Sequence, residues 1–273
     1  MNQTTIVMAA PNGARKTHAD HANVPVSIAA TVAEAAECRA AGASVLHAHV
    51  RGDNNEHVLD TGRYRELIAE MSAQVPDMLI QVTSEAVGRY TPEEQTRVIR
   101  EVNPDMASMC LREITDQFTR TDLAREFFAW CDDNAVHVQH IVFSREELEQ
   151  WFAHREQGII PESQRCLMLV LGRYTADQQS SPADLDEFLQ HDLSGFDWFT
   201  CAFGKREQDC ALHAIESGGH ARVGFENNLF LPNGDLADST AELVGSLVAN
   251  LKEKDIEPAS ADQARQLLGV RSA

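Results

Sequence analysis

Two histidines separated by one residue, His47 and His49, close the apolar run Val45-Leu46-His47-Ala48-His49-Val50. On a strand, residues i and i+2 project from the same face, so the two imidazoles point together, whereas on a helix they would diverge. That arrangement suits a transition-metal site, and a pair of hydrogen-bonded core histidines is the bland alternative. A catalytic zinc site takes three protein ligands and keeps one position open for water or substrate. The segment Ala221-Arg222-Val223-Gly224-Phe225-Glu226-Asn227-Asn228 offers the third ligand. Glu226 ends an apolar run, shares a strand face with Arg222 and Gly224, and would be costly in a packed interior unless paired or metal-bound. A rim salt bridge between Arg222 and Glu226 is the competing reading. Two imidazoles and one carboxylate would accept iron or manganese as well as zinc.

Glu226 lies far from the histidines in sequence, so the fold must bring them together. Eight short apolar runs, at 5–10, 45–50, 78–84, 106–111, 136–143, 166–171, 198–203 and 221–226, alternate with amphipathic segments at 31–41, 62–74, 92–102, 121–133, 144–154, 182–190, 207–216 and 239–252. Alternation of this kind is the mark of βα units and a parallel sheet. Eight units without a Pro-, Gly- or Ser-rich linker predict an α/β fold, one (β/α)8 TIM barrel domain over residues 1–273, with a doubly wound open sheet as the competitor. In a barrel the active site collects at the carboxyl ends of the strands. Polar residues closing the runs are therefore the places to look: Gln81, Thr83, Ser84 and Glu85 on the third, Ser108 and Cys110 on the fourth, His137 and Gln139 on the fifth. After the first run, Pro11-Asn12-Gly13-Ala14-Arg15 reads as a turn that either presents Arg15 to an anionic substrate or is an ordinary surface turn.

Composition narrows the partners. A formal net charge of −19 argues against nucleic acid, which is bound by clustered Lys and Arg. No apolar run approaches the length of a membrane span, and the start lacks a basic region followed by an apolar stretch, which predicts a cytoplasmic protein. The six cysteines, at 38, 110, 131, 166, 201 and 210, form no C-x-x-C pair and read as reduced core thiols. No dinucleotide fingerprint, P-loop or G-x-S-x-G elbow is present.

With APNGAR, AGASVLHAHVR, Tyr64 in GRYRE, QVTSEAVGRY, PDMASMCLRE, VLGRY, CAFG and GGHARVGFENN in this order, the sequence resembles the β-keto acid cleavage enzyme family over essentially its full length. The resemblance implies a zinc-dependent (β/α)8 barrel, usually a homotetramer, that converts a β-keto acid and acetyl-CoA into acetoacetate and a new acyl-CoA. It places the zinc ligands on His47, His49 and Glu226, an intermediate-stabilising arginine on Arg222, and substrate-carboxylate contacts near Ser84 and Ser108. Arg15, Thr83 and Gln139 complete the candidate substrate contacts. The sequence departs from the family at two acids. Asn227 stands where the described members have the Asp that serves as base, and Gln139 stands where they have its supporting Glu. An amide has no useful basicity. Asn227 thus keeps a catalytic position without its chemistry, and the proton acceptor becomes Glu85 first and Glu113 second, with a rim salt bridge to Arg89 or Arg112 as the ordinary alternative for each. Three competing readings stand: metal-dependent enolate or lyase chemistry on another oxo acid without acetyl-CoA, an amidohydrolase-like metal hydrolase, and a barrel that binds a ligand through a structural metal.

Overall fold

The computed structural model describes residues 3–116 and 119–271. The run expected at 5–10 divides at Ile6: β1 (Gln3–Thr5) leaves to form a two-stranded sheet with β10 (Ile256–Pro258), and only β2 (Val7–Ala9) continues into the main sheet. There it joins β3 (Val45–Ala48), β4 (Leu79–Thr83), β5 (Met106–Cys110), β6 (His137–Val142), β7 (Cys166–Leu171), β8 (Asp197–Ala202) and β9 (His220–Val223). These eight strands pair in parallel in sequence order, and β2 closes on β9, so the fold is a (β/α)8 TIM barrel.

The helices are α1 (Ile28–Ala41), α2 (Thr61–Gln74), α3 (Pro92–Val102), α4 (Leu111–Ile114), α5 (Thr121–Asp133), α6 (Arg145–Glu156), α7 (Pro182–Asp186), α8 (Glu207–Glu216), α9 (Thr240–Glu253) and α10 (Ala261–Leu268). Local chemistry fixes several starts. Ser27, Asp60, Thr91, Ser144, Ser239 and Ser260 each accept a hydrogen bond from a backbone N–H in the first helical turn. Such a cap is worth about 1 kcal/mol. The expected helix at 182–190 is shorter, because α7 gives way to a 3-10 turn, Phe188–Gln190.

Strand alternation sorts the core into two shells. Leu46, Val82, Ala107, Val138, Leu167 and Leu169 point outward and pack under the helices. Met8, Val45, Met106, Met168 and Phe199 fill the lower lumen, where Ala264 and Leu268 of α10 close the amino end. The upper lumen is polar, with His47, Gln81, Ser108, Gln139 and Arg222 all buried. Register levels these groups: His47 lies opposite Gln81, Ser108 opposite Gln139, and Cys201 opposite Arg222. All six cysteines are buried free thiols, and among the described residues no helix is long and apolar enough to cross a membrane.

Candidate metal centre and active site

His47 sits on β3 and His49 one residue past its end, with their Nε2 atoms 3.1 Å apart. Glu226 Oε2, three residues past β9, lies 3.4 Å from His47 Nε2 and 3.6 Å from His49 Nε2. Hydrogen-bond accounting fixes where the protons are. Gln81 Nε2 donates to Gln139 (3.1 Å), which turns Gln81 Oε1 to accept from the Nδ1–H of His47 (2.8 Å). His57 Nε2 donates to the Glu85 carbonyl (2.9 Å), so its Nδ1 accepts from the Nδ1–H of His49 (3.3 Å). Both Nε2 atoms therefore carry bare lone pairs. Burial keeps the rings neutral, lowering the His47 pKa to about 4 and that of His49 well below the usual value.

Burial alone would favour a protonated Glu226, but the Arg222 guanidinium outweighs it and holds the carboxyl well below the usual carboxylate range. The rim salt bridge exists: Arg222 Nη2 lies 3.1 Å from Oε1. Oε2 is buried and has no hydrogen-bond partner. Two imidazole lone pairs and one carboxylate lone pair thus converge without a donor among them, and all three ligand atoms lie within 4.8 Å of one another. A cation satisfies such a donor set, and nitrogen and oxygen ligands with their outer atoms already tied down match the chemistry of a divalent transition metal.

The surrounding turns hold this geometry. Gly13 has φ +59°, and a Cβ there would stand 2.5 Å from Glu226 Cγ, so the turn after β2 packs directly on the carboxylate. Arg51, buried, donates to the carbonyls of Asn12, Gly13 and Lys16 and clamps that turn from below. Asn12 braces the other side, donating to the His49 carbonyl (2.9 Å) and accepting from its N–H (3.2 Å). Lys16 Nζ donates to the Glu226 carbonyl (2.8 Å). Behind β9, Glu207 of α8 is buried and accepts from Gly224 N and Asn227 Nδ2; burial pushes its pKa up to about 8.

A cavity of about 360 Å³ opens over the triad. Of the expected substrate contacts, Arg15, Thr83 and Ser108 line it, and the Ser108 hydroxyl has no protein partner. Ser84 and Gln139 are not among its lining residues: the Ser84 hydroxyl donates to the Ser108 carbonyl (3.0 Å), and Gln139 is held between Gln81 and Cys166. Asn227 is also outside the lining, one layer behind Arg222. The two candidate acids differ. Glu113 Oε2 is committed to Ala86 N (2.9 Å) and Gln95 Nε2 (2.8 Å). Glu85 faces the cavity 3.9 Å from Nδ1 of the neutral His49 ring, and burial followed by Glu226 and Glu113 pushes its pKa up to about 7. Neither rim salt bridge forms, since Arg112 pairs with Glu147 and Arg89 leans on the Tyr90 ring. Arg173 was not anticipated; it lines the cavity beside Phe203. His57, Arg51 and Glu207 were also missed, the first two lying in the loop after β3 and the third at a helix start, positions with no periodic signal.

The profile of the β-keto acid cleavage enzyme family matches residues 4–270. A 3-keto-5-aminohexanoate cleavage enzyme of Fusobacterium nucleatum subsp. nucleatum is 30% identical over 99% of this chain and 100% of its own length. The chain belongs to the β-keto acid cleavage enzyme family. It is similar to other members with different substrates in their names, among them a 3-oxoadipate:acetyl-CoA acetyltransferase of Cupriavidus necator, 26% identical over 100% of this chain and 97% of that one. Among solved structures, the binary complex of ObcA with oxaloacetate has a TM-score of 0.75 at 14% identity, covering 92% of this chain and 68% of that one, a likeness of fold. Family membership makes the protein an enzyme of carbon–carbon bond cleavage.

Proposed function

We propose that the protein is a zinc-dependent β-keto acid cleavage enzyme that converts a β-keto acid and acetyl-CoA into acetoacetate and the corresponding acyl-CoA. The observation that carries this reading is the convergence of His47 Nε2, His49 Nε2 and the unpartnered Glu226 Oε2 beneath the cavity. A zinc ion held there supplies a Lewis acid that lowers the cost of negative charge on a keto oxygen. The chain's own residues supply the rest. Arg222, buried and with its Nε free of a protein partner, offsets developing oxyanion charge. Glu85, uncommitted and facing the cavity, accepts the C2 proton that the Asn227 amide cannot take. Ser108 and Thr83 receive the substrate carboxylate, and Arg15 faces its outer end. The reading includes a homotetrameric, cytoplasmic protein of one domain.

The test is a panel of β-keto acids with acetyl-CoA, assayed for acetoacetate with zinc verified bound. At least one acid should yield acetoacetate and its acyl-CoA in equal amounts; silence towards the whole panel would overturn the reading. One observation favours a second reading, the same metal chemistry without acetyl-CoA: amides stand at both 227 and 139. Turnover that persists when acetyl-CoA is omitted would select it.

A further inference from the structure

Glu207 is the first residue of α8, fully buried, and outside the cavity lining. Its Oε1 accepts from the Gly224 N–H (3.1 Å) and from Asn227 Nδ2 (3.2 Å), and its Oε2 from Asn228 Nδ2 (3.4 Å). Asn227 Nδ2 also donates to the Arg222 carbonyl (3.3 Å). Asn227 Oδ1 accepts from Arg222 Nη2 (3.3 Å) and from Cys201 Sγ (3.2 Å). All of these contacts demand the same orientation of the amide. Turned over, it would set donor against guanidinium and acceptor against carboxylate. Arg222 Nη2 is the same atom that reaches Glu226 Oε1.

We infer that Glu207 is a positioning residue: its carboxyl group, two hydrogen bonds behind the cavity wall, locks the Asn227 amide so that the amide oxygen holds Arg222 over Glu226. Positions 207 and 227 then form an acid–amide pair. An acid at both would bring two carboxyl groups within hydrogen-bond distance in a buried site, where neighbouring acids cannot both ionise. Amides at both would leave the orientation of residue 227 to its Arg222 and Cys201 contacts alone. An exchanged pair, with the acid at 227 and the amide at 207, restores one donor facing one acceptor. The kinetic consequence rests on the proposed reaction; the pairing itself does not.

The experiment is a double-mutant cycle on the full-length protein with Glu207→Gln, Asn227→Asp and both together. It reads the unfolding midpoint, zinc affinity by chelator competition, and kcat and KM on a β-keto acid that the wild type cleaves. Each single variant should lose about tenfold in kcat, with KM within about twofold, as expected for an interaction made chiefly in the transition state. The exchanged variant should recover zinc affinity and exceed the product of the single kcat effects by about tenfold or more, as coupled neighbours do. Independent effects in zinc affinity and kcat would overturn the inference, and so would coupling confined to the unfolding midpoint, which marks a purely structural strut. If a single variant fails to fold, the exchanged variant decides: folded with wild-type zinc affinity supports the pair, and unfolded overturns it. A wild type silent towards every acid sinks the reaction proposed above, while the zinc-affinity cycle still decides the pair.

Discussion

Buried histidines occur at the mouth of this barrel and away from it, and the two sets are alike in one respect and opposite in another. At the mouth, His47 and His49 are fully desolvated, and burial holds them neutral. At the amino end His220 packs on Phe199, and on the outer face of β6 His140 packs between Phe128 of α5 and Trp151 of α6, with burial lowering their pKa values to about 4 and about 3. Depressed basicity therefore does not tell the two sets apart. The destination of the lone pairs does. His220 Nδ1 accepts from Ile6 N (3.2 Å), whereas His140 Nε2 donates to Gln164 Oε1 (3.1 Å) and its Nδ1 lone pair lies buried by itself, with no second ligand facing it. The lone pairs of the upper pair end on each other and on Glu226, and among the described residues no other cluster of potential ligands converges in this way. Burial is what a core demands; convergence without a donor is what a cation demands.

The comparison can be broken most sharply at the histidines. His47→Ala should abolish turnover, by about a thousandfold or more, because Lewis-acid stabilisation is worth several kcal/mol. His140→Ala should cost stability, seen as a lower unfolding midpoint, with kcat within a few-fold of wild type. Equal kcat losses in the two variants would erase the distinction. Next in size is Arg222→Lys, which keeps the charge but loses the planar guanidinium, whose Nη2 reaches Glu226, Asn227 and Cys201 while its Nε stays free. It should lower kcat by about a hundredfold in steady-state assays, the range for losing one oxyanion donor. Gln81→Leu removes the acceptor that fixes the His47 tautomer, and zinc affinity measured by chelator competition should fall by about tenfold to a hundredfold. The smallest effect concerns pH and the histidines away from the mouth. The unfolded state binds more protons than the folded one at His137, His140 and His220 once the pH falls below about 6.5. Stability from these residues, complete above that value, should decline as the pH falls from 6.5 towards 4, and His220→Gln should flatten that decline in urea titrations across the range.

Much of this was legible in sequence because it follows local periodicity. Alternating apolar runs gave all eight barrel strands, and His47-x-His49 at a run's end put two imidazoles on one face. Glu226 was legible as a carboxylate at the end of the last run, but not on the strand face expected for it with Arg222 and Gly224: β9 stops at Val223, and the turn through Gly224, φ +142°, carries Glu226 in. The split of the first run at Ile6 was not, since the partner of β1 is β10, in a stretch after residue 252 with too few residues to show a period. Ser84 and Gln139 looked like mouth residues because they end or interrupt apolar runs, yet register and strand tilt turn their polar atoms to neighbouring strands. Glu207 was invisible for a different reason: a carboxylate at a helix start reads as an ordinary first-turn acid. Only the fold shows that this first turn is buried against Asn227.

That His47, His49 and Glu226 hold a metal ion is tested most directly by elemental analysis of protein purified without added metal, on the wild type and on His49→Ala side by side. About one metal ion per chain, zinc in the proposed reading, is expected in the wild type, with none retained by the variant. Stoichiometric zinc in His49→Ala, or a wild type that takes up no divalent metal even after incubation with zinc, would contradict it.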